Sequence, residues 1–150
     1  MKKVILIYTS STGSTEAIAE TIREELEQNA VHVTVKDSFV ATPDELQEYD
    51  GILIGTYTWD GGVVPDEFMD FYEELDYEEL TGKIAAVFGS GDSYYTKTFG
   101  AALKLFAEKL AEIGAELVLP NFLVDLYPEE NDLIAAKQYG KKFSEFLLKK

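Results

Sequence analysis

Short apolar runs alternate along the chain with segments whose apolar residues recur every three or four positions. Val4-Ile5-Leu6-Ile7-Tyr8 is continuously apolar, as expected of a strand covered on both faces. Ile52-Leu53-Ile54-Gly55 and Ile84-Ala85-Ala86-Val87-Phe88 repeat that pattern. Val31-His32-Val33-Thr34-Val35 alternates instead, with the valines on one face and His32 on the other, and Glu116-Leu117-Val118-Leu119 makes a fifth strand. Between the strands, Ile18, Ile22 and Leu26 mark a helix from about 15 to 28. Thr42-Pro43-Asp44-Glu45 is a capping box with proline at the first helical position, opening a short helix. Phe68, Phe71, Tyr72 and Leu75 share one side of a helix over 65–75. The next helix carries Phe99, Leu103, Phe106, Leu110 and Ile113 and stops at Gly114, and the last, from about 131 to 148, buries Leu133, Phe143, Phe146 and Leu147.

Strands alternating with helices imply an α/β domain with a parallel sheet covered on both faces. Right-handed crossovers make such a sheet doubly wound and place the ligand crevice beyond the carboxyl ends of the strands. The length of 150 residues fits one domain spanning 1–150. The residues after Tyr8, Gly55 and Phe88 are therefore where function is expected.

Composition narrows the chemistry. The chain has no cysteine, which excludes thiol nucleophiles, disulfides and cysteine metal sites, and a single histidine, which argues against hydrolytic triads and histidine-rich metal centres; any redox chemistry needs a cofactor. No apolar run reaches the length of a membrane span, and Met1-Lys2-Lys3 leads straight into a strand rather than a signal peptide, which implies a cytoplasmic protein without membrane partners. The net charge of −15 repels nucleic acid and attracts basic protein surfaces. Simple solubility would account for the same acidity.

The first loop, Thr9-Ser10-Ser11-Thr12-Gly13-Ser14-Thr15, presents hydroxyls, a glycine and the free N–H groups of a helix start, a setting suited to phosphate. It holds no Lys or Arg, and Arg23 lies about two turns further on. It lacks both the lysine of a triphosphate loop and a three-glycine dinucleotide pattern, which favours one terminal phosphate. A polar turn with a helix cap would look similar. The second loop, Thr56-Tyr57-Thr58-Trp59-Asp60-Gly61-Gly62, sets the only tryptophan at a strand end, where it stacks on a planar ligand or fills a core edge. The third, Gly89-Ser90-Gly91-Asp92-Ser93-Tyr94-Tyr95, combines glycines that admit close backbone approach with tyrosines able to cover a second ring face, or forms a plain surface turn. Together the loops describe a pocket for a flat ring with a phosphate tail.

These residues resemble those of the flavodoxin family. Ser10-Ser11-Thr12-Gly13-Ser14-Thr15-Glu16 is similar to its phosphate loop, Gly55-Thr56-Tyr57-Thr58-Trp59 to its second flavin loop, and Phe88 through Tyr95 to its third. The likeness covers essentially the whole chain, in the short-chain form without a long insertion in strand five. It implies a five-stranded sheet of order 2-1-3-4-5, one non-covalent FMN, and a low-potential one-electron carrier that performs no turnover of its own. It further implies Ser10, Ser11, Thr12, Gly13, Ser14 and Thr15 on the phosphate, with Thr56, Tyr57, Thr58, Trp59, Asp60, Gly61, Ser90, Gly91, Asp92, Tyr94 and Tyr95 around the ring. Trp59 would stack on one face and Tyr95, with Tyr94 as substitute, on the other. Partners implied are basic-surfaced redox proteins, a flavodoxin or ferredoxin reductase and acceptor enzymes, met by a monomer.

One departure stands out. Where the family often shows Gly-Asp after the tryptophan, this chain has Asp60-Gly61-Gly62. A side chain in place of glycine resists the peptide flip that accompanies reduction in the family, which implies a less stabilised one-electron-reduced flavin. From Asp60 to Glu79 the chain also holds acidic residues and no Lys or Arg. A unit charge about 10 Å away in a water-like dielectric is worth ~0.4 kcal/mol, or ~20 mV for one electron, so several would lower the second potential. The same stretch would dock a basic partner or be merely a solvated face. Two other functions remain to be weighed. An FMN-dependent quinone or flavin reductase of the same fold needs substrate and nicotinamide sites for which a short chain offers little material. A receiver-type signalling domain needs acids after strand one and a phosphorylatable Asp after strand three, where Thr9-Ser10-Ser11 and Thr56-Tyr57 stand.

Overall fold

The computed structural model describes residues 1–58, 63–95 and 98–150. The apolar runs form the centre of a parallel sheet. Strands β1 (Lys3–Tyr8), β2 (His32–Asp37), β3 (Gly51–Tyr57), β4 (Ile84–Gly91) and β5 (Glu116–Leu117) lie in the order β2-β1-β3-β4-β5. Helices α1 (Ser14–Gln28), α2 (Asp66–Glu74), α3 (Ala101–Glu112) and α4 (Glu130–Leu148) cover both faces.

The alternation of strand side chains explains how two cores arise from one sheet. Ile5, Ile7, Ile52, Ile54 and Val87 face the layer of α2 and α3, packing with Phe68, Phe71, Leu103 and Phe106. Val4, Leu6, Leu53 and Phe88 face the layer of α1 and α4, packing with Ile18, Ile22, Phe143 and Leu147. Each is buried. In the edge strand β2, Val33 and Val35 pack against the second core while His32 is exposed.

Five expectations change on contact with the structure. The Thr42 capping box does form, with the Thr42 N–H donating to Glu45 Oε2 at 2.7 Å, but the segment it opens, Pro43–Glu48, is a 3₁₀ turn. Its six residues would make fewer than two turns of α-helix, too few to sustain one. The fifth strand stops at Leu117, and after Pro120 a further strand β6 (Phe122–Asp125) pairs with the other half of β4, in register Phe88↔Phe122 to Gly91↔Asp125. Proline cannot donate to a ladder, so the edge is filled in two pieces. Phe99 precedes α3 rather than joining its buried stripe, and Phe146 is 42% exposed because α4 buries the line Tyr139, Phe143 and Leu147. Leu133 is half-buried.

Among the described residues, no helix is long and apolar enough to cross a membrane, and no group of His, Asp or Glu is gathered as a metal site.

Candidate functional site

Register brings the strand ends to one level. Tyr8 pairs with Gly55, and Tyr57 with Ser90, so the segments leaving β1, β3 and β4 emerge side by side. Close approach of β3 and β4 depends on Gly89, where a Cβ would lie 1.7 Å from the Thr56 carbonyl oxygen. Between these segments lies a cleft of about 370 Å³, a size ordinary for small-molecule and cofactor sites.

One end of the cleft is the start of α1. Ser11, Thr12 and Ser14 line it. Gly13 adopts φ 90°, a left-handed conformation that turns the chain into the helix. Its N–H donates to Ser10 Oγ at 3.0 Å, while Thr12 and Ser14 hydroxyls pair at 3.1 Å. The backbone N–H groups of Ser11, Thr12, Ser14, Thr15 and Glu16 have no acceptor among the described residues. Helix starts always leave such donors, and here they add the positive end of the helix dipole to this end of the cleft. None of the described residues lining the cleft is Lys or Arg.

The other walls come from β3, β4 and the turns beyond. Tyr57, Thr58, Ser90, Gly91, Asp92 and Tyr95 line the cleft together with Thr98, Phe99 and Leu126. The Thr58 hydroxyl accepts the Ala102 N–H at 3.2 Å, so β3 caps α3 from outside the helix. Thr15 and Thr56 are buried below the cleft floor. The Thr15 hydroxyl meets Ser90 Oγ at 3.0 Å, clamping the first turn of α1 onto β4, and Thr56 bonds its neighbour's carbonyl. Tyr95 borders the cleft, whereas Tyr94 does not and is 83% exposed; their rings meet edge to face at 5.3 Å. Trp59, Asp60 and Gly61, expected at the ring, lie outside the described residues.

Besides Thr98 and Phe99 on the cleft wall, two features of the site escaped sequence reasoning. The first is Glu67, in the first turn of α2. Its Oε1 accepts the Thr9 hydroxyl at 2.9 Å and the Tyr57 hydroxyl, tying together the ends of β1, β3 and the start of α2. Burial pushes the Glu67 carboxyl up, but the hydrogen bonds from Tyr57, its own N–H and Thr9 outweigh it, leaving the group below the usual carboxylate range. Burial, then the adjacent Glu67 charge, drives the Tyr57 phenol well above its ordinary value. Only the acid-rich composition of the segment hinted at this carboxylate. The second is the end of β6. Asp125 accepts from the Ser93 N–H at 3.0 Å and from its hydroxyl at 2.6 Å, and the Leu126 N–H donates to the Gly91 carbonyl at 2.7 Å. The bonds from Ser93 hold the Asp125 carboxyl below its usual range. In the acidic stretch that follows the second loop, Asp76 is paired, with Lys109 at 2.6 Å.

The family profile described as Flavodoxin matches residues 6–140. A curated relative, "Probable flavodoxin 2" of Bacillus subtilis, is 36% identical over 149 residues, covering 97% of this chain and 96% of its own. The flavodoxin of Maridesulfovibrio salexigens is 34% identical over 138 residues, 90% of this chain and 94% of its own. Among solved structures, oxidised Flavodoxin 1 from Bacillus cereus superposes with a TM-score of 0.94 at 40% identity, covering 96% of this chain and 98% of that one.

Proposed function

The chain belongs to the flavodoxin family, and we propose that the cleft at the carboxyl edge of its sheet is where it holds FMN. The family is one of FMN-binding electron carriers rather than turnover enzymes, so a reductase of the same fold is not favoured. Bound FMN supplies the redox chemistry, taking up and releasing electrons singly.

The observation that carries the assignment is the start of α1, where Ser11, Thr12 and Ser14, whose N–H groups have no acceptor among the described residues, line a cleft whose other walls include Tyr57, Tyr95 and Phe99. A phosphate monoester fits the first end, since it offers oxygen acceptors to amides and hydroxyls at a positive helix terminus. An aromatic ring fits the second, between apolar faces and the polar backbone of Thr58, Gly91 and Asp92. In this reading Ser10 to Thr15 grip the phosphate, and Tyr95, rather than the outward-turned Tyr94, covers the ring. The proposal also assigns Trp59, Asp60 and Gly61 to the flavin, on their place in the sequence after β3 alone.

The partners proposed are redox proteins with basic surfaces, a reductase on one side and acceptor enzymes on the other, attracted by the net charge of −15. The same charge opposes self-association and supports a monomer, placed by this proposal in the cytoplasm. The test is reconstitution with FMN followed by photoreduction and mixing with a basic haem protein. The expected result is electron transfer whose rate falls as salt rises, with no oxidation of NADH or NADPH by the chain alone. Steady oxidation of a nicotinamide in the presence of a quinone would contradict it.

A further inference from the structure

Leu126, at the end of β6, combines two features that folding alone does not explain. Its φ is 60°, the left-handed region, where a Cβ crowds the following carbonyl and glycine is favoured. Its side chain is 58% exposed, so little apolar burial offsets that strain. Both features fall on a residue that borders the cleft beside Gly91 and Tyr95. The position is also firmly held, since the Leu126 N–H bonds the Gly91 carbonyl at 2.7 Å and neighbouring Asp125 grips Ser93 through two hydrogen bonds.

We infer that Leu126 is a flavin-contact residue, an apolar wall that β6 presents to the ring and that becomes covered when the cofactor is bound. The inference rests on the assignment of the cleft to FMN. It adds a fourth segment to the three strand-end loops and assigns β6 a role in the site beyond closing the sheet edge. Local strain of this kind persists where the surrounding structure enforces it and a ligand uses the result.

Two substitutions in the full chain separate contact from conformation. Leu126→Asn keeps a residue that tolerates left-handed backbone but removes the apolar contact. Leu126→Gly relieves the strain and removes the contact as well. For both, titration with FMN and with riboflavin should show a dissociation constant raised by about tenfold, the loss expected for about half of a leucine's full burial. The factor should be the same for the two ligands, because the contact is to the ring and not to the phosphate. The melting temperature of the Leu126→Gly apoprotein should be unchanged or raised. Unaltered flavin affinity of Leu126→Asn, or a lowered melting temperature of apo Leu126→Gly, would overturn the inference while leaving the FMN assignment standing. Failure of the unsubstituted chain to bind either flavin would overturn both.

Discussion

The buried hydroxyl pair between Thr15 and Ser90 gives the sharpest test of how the site is assembled. Thr15 is 1% exposed and Ser90 6%, and their oxygens lie 3.0 Å apart. No other side-chain partner is available to Ser90 among the described residues. Thr15→Val replaces the hydroxyl with a methyl of similar size and leaves Ser90 Oγ buried without its partner. An unsatisfied buried hydroxyl costs about 1–3 kcal/mol. Taking about 2 kcal/mol, a domain of this size should melt roughly 4–8 °C lower. Calorimetry and urea denaturation of the apoprotein measure this without a contribution from ligand. Ser90→Ala should cost a similar amount, since it orphans Thr15. The double variant removes both partners, and its cost should fall short of the sum of the singles by about 1 kcal/mol or more. Single variants within about 0.5 kcal/mol of the parent, or strict additivity, would refute the clamp.

Glu67→Gln keeps an acceptor for Thr9 and Tyr57 but removes the ionisation. Because hydrogen bonds hold the folded carboxyl below its unfolded value near 4.3, its stabilisation is present above that pH and fades as pH falls through the depressed folded value. The parent's advantage over Glu67→Gln in urea denaturation should therefore be full at pH 7 and shrink below about pH 4.3; an advantage that grows on acidification would contradict the network. Salt tests the charge of the cradle. With no described Lys or Arg lining the cleft and a net charge of −15, the anionic phosphate meets repulsion, which salt screens. FMN affinity should rise between about 20 and 500 mM NaCl while riboflavin affinity changes less, as the Debye length shrinks several-fold. Loss of FMN affinity with salt would point to a cationic phosphate site instead.

The central strands and the layers they pack were legible because a parallel sheet buried on both faces writes itself as unbroken apolar runs. Val4–Ile7 and Ile84–Phe88 needed no tertiary information. The edge of the sheet was not legible. Phe122–Asp125 is four residues long, follows a proline, and is a strand only because β4 offers it an unpaired edge. Phe99 fell into helical phase with Leu103 and Phe106, yet the helix starts after Gly100, whose φ of 78° ends the loop. Phe146 stood one step off the stripe that α4 buries. In the site, the residues next to strand ends could be named from the sequence because the fold dictates where those ends meet. Glu67 and Leu126 could not, since each reaches the site from an element whose position depends on packing rather than on a motif. The choice between Tyr94 and Tyr95 likewise needed the turn that Asp92 and Ser93 form, where the Tyr94 N–H bonds Asp92 Oδ1 at 2.9 Å and Asp125 anchors Ser93.

Calorimetric titration of the apoprotein with FMN and with riboflavin reaches the centre of the account. If amides and hydroxyls at the start of α1 hold the phosphate, FMN binds one to one and at least tenfold more tightly than riboflavin, a difference of at least 1.4 kcal/mol. Equal affinity for the two flavins, or no heat with either, would contradict it.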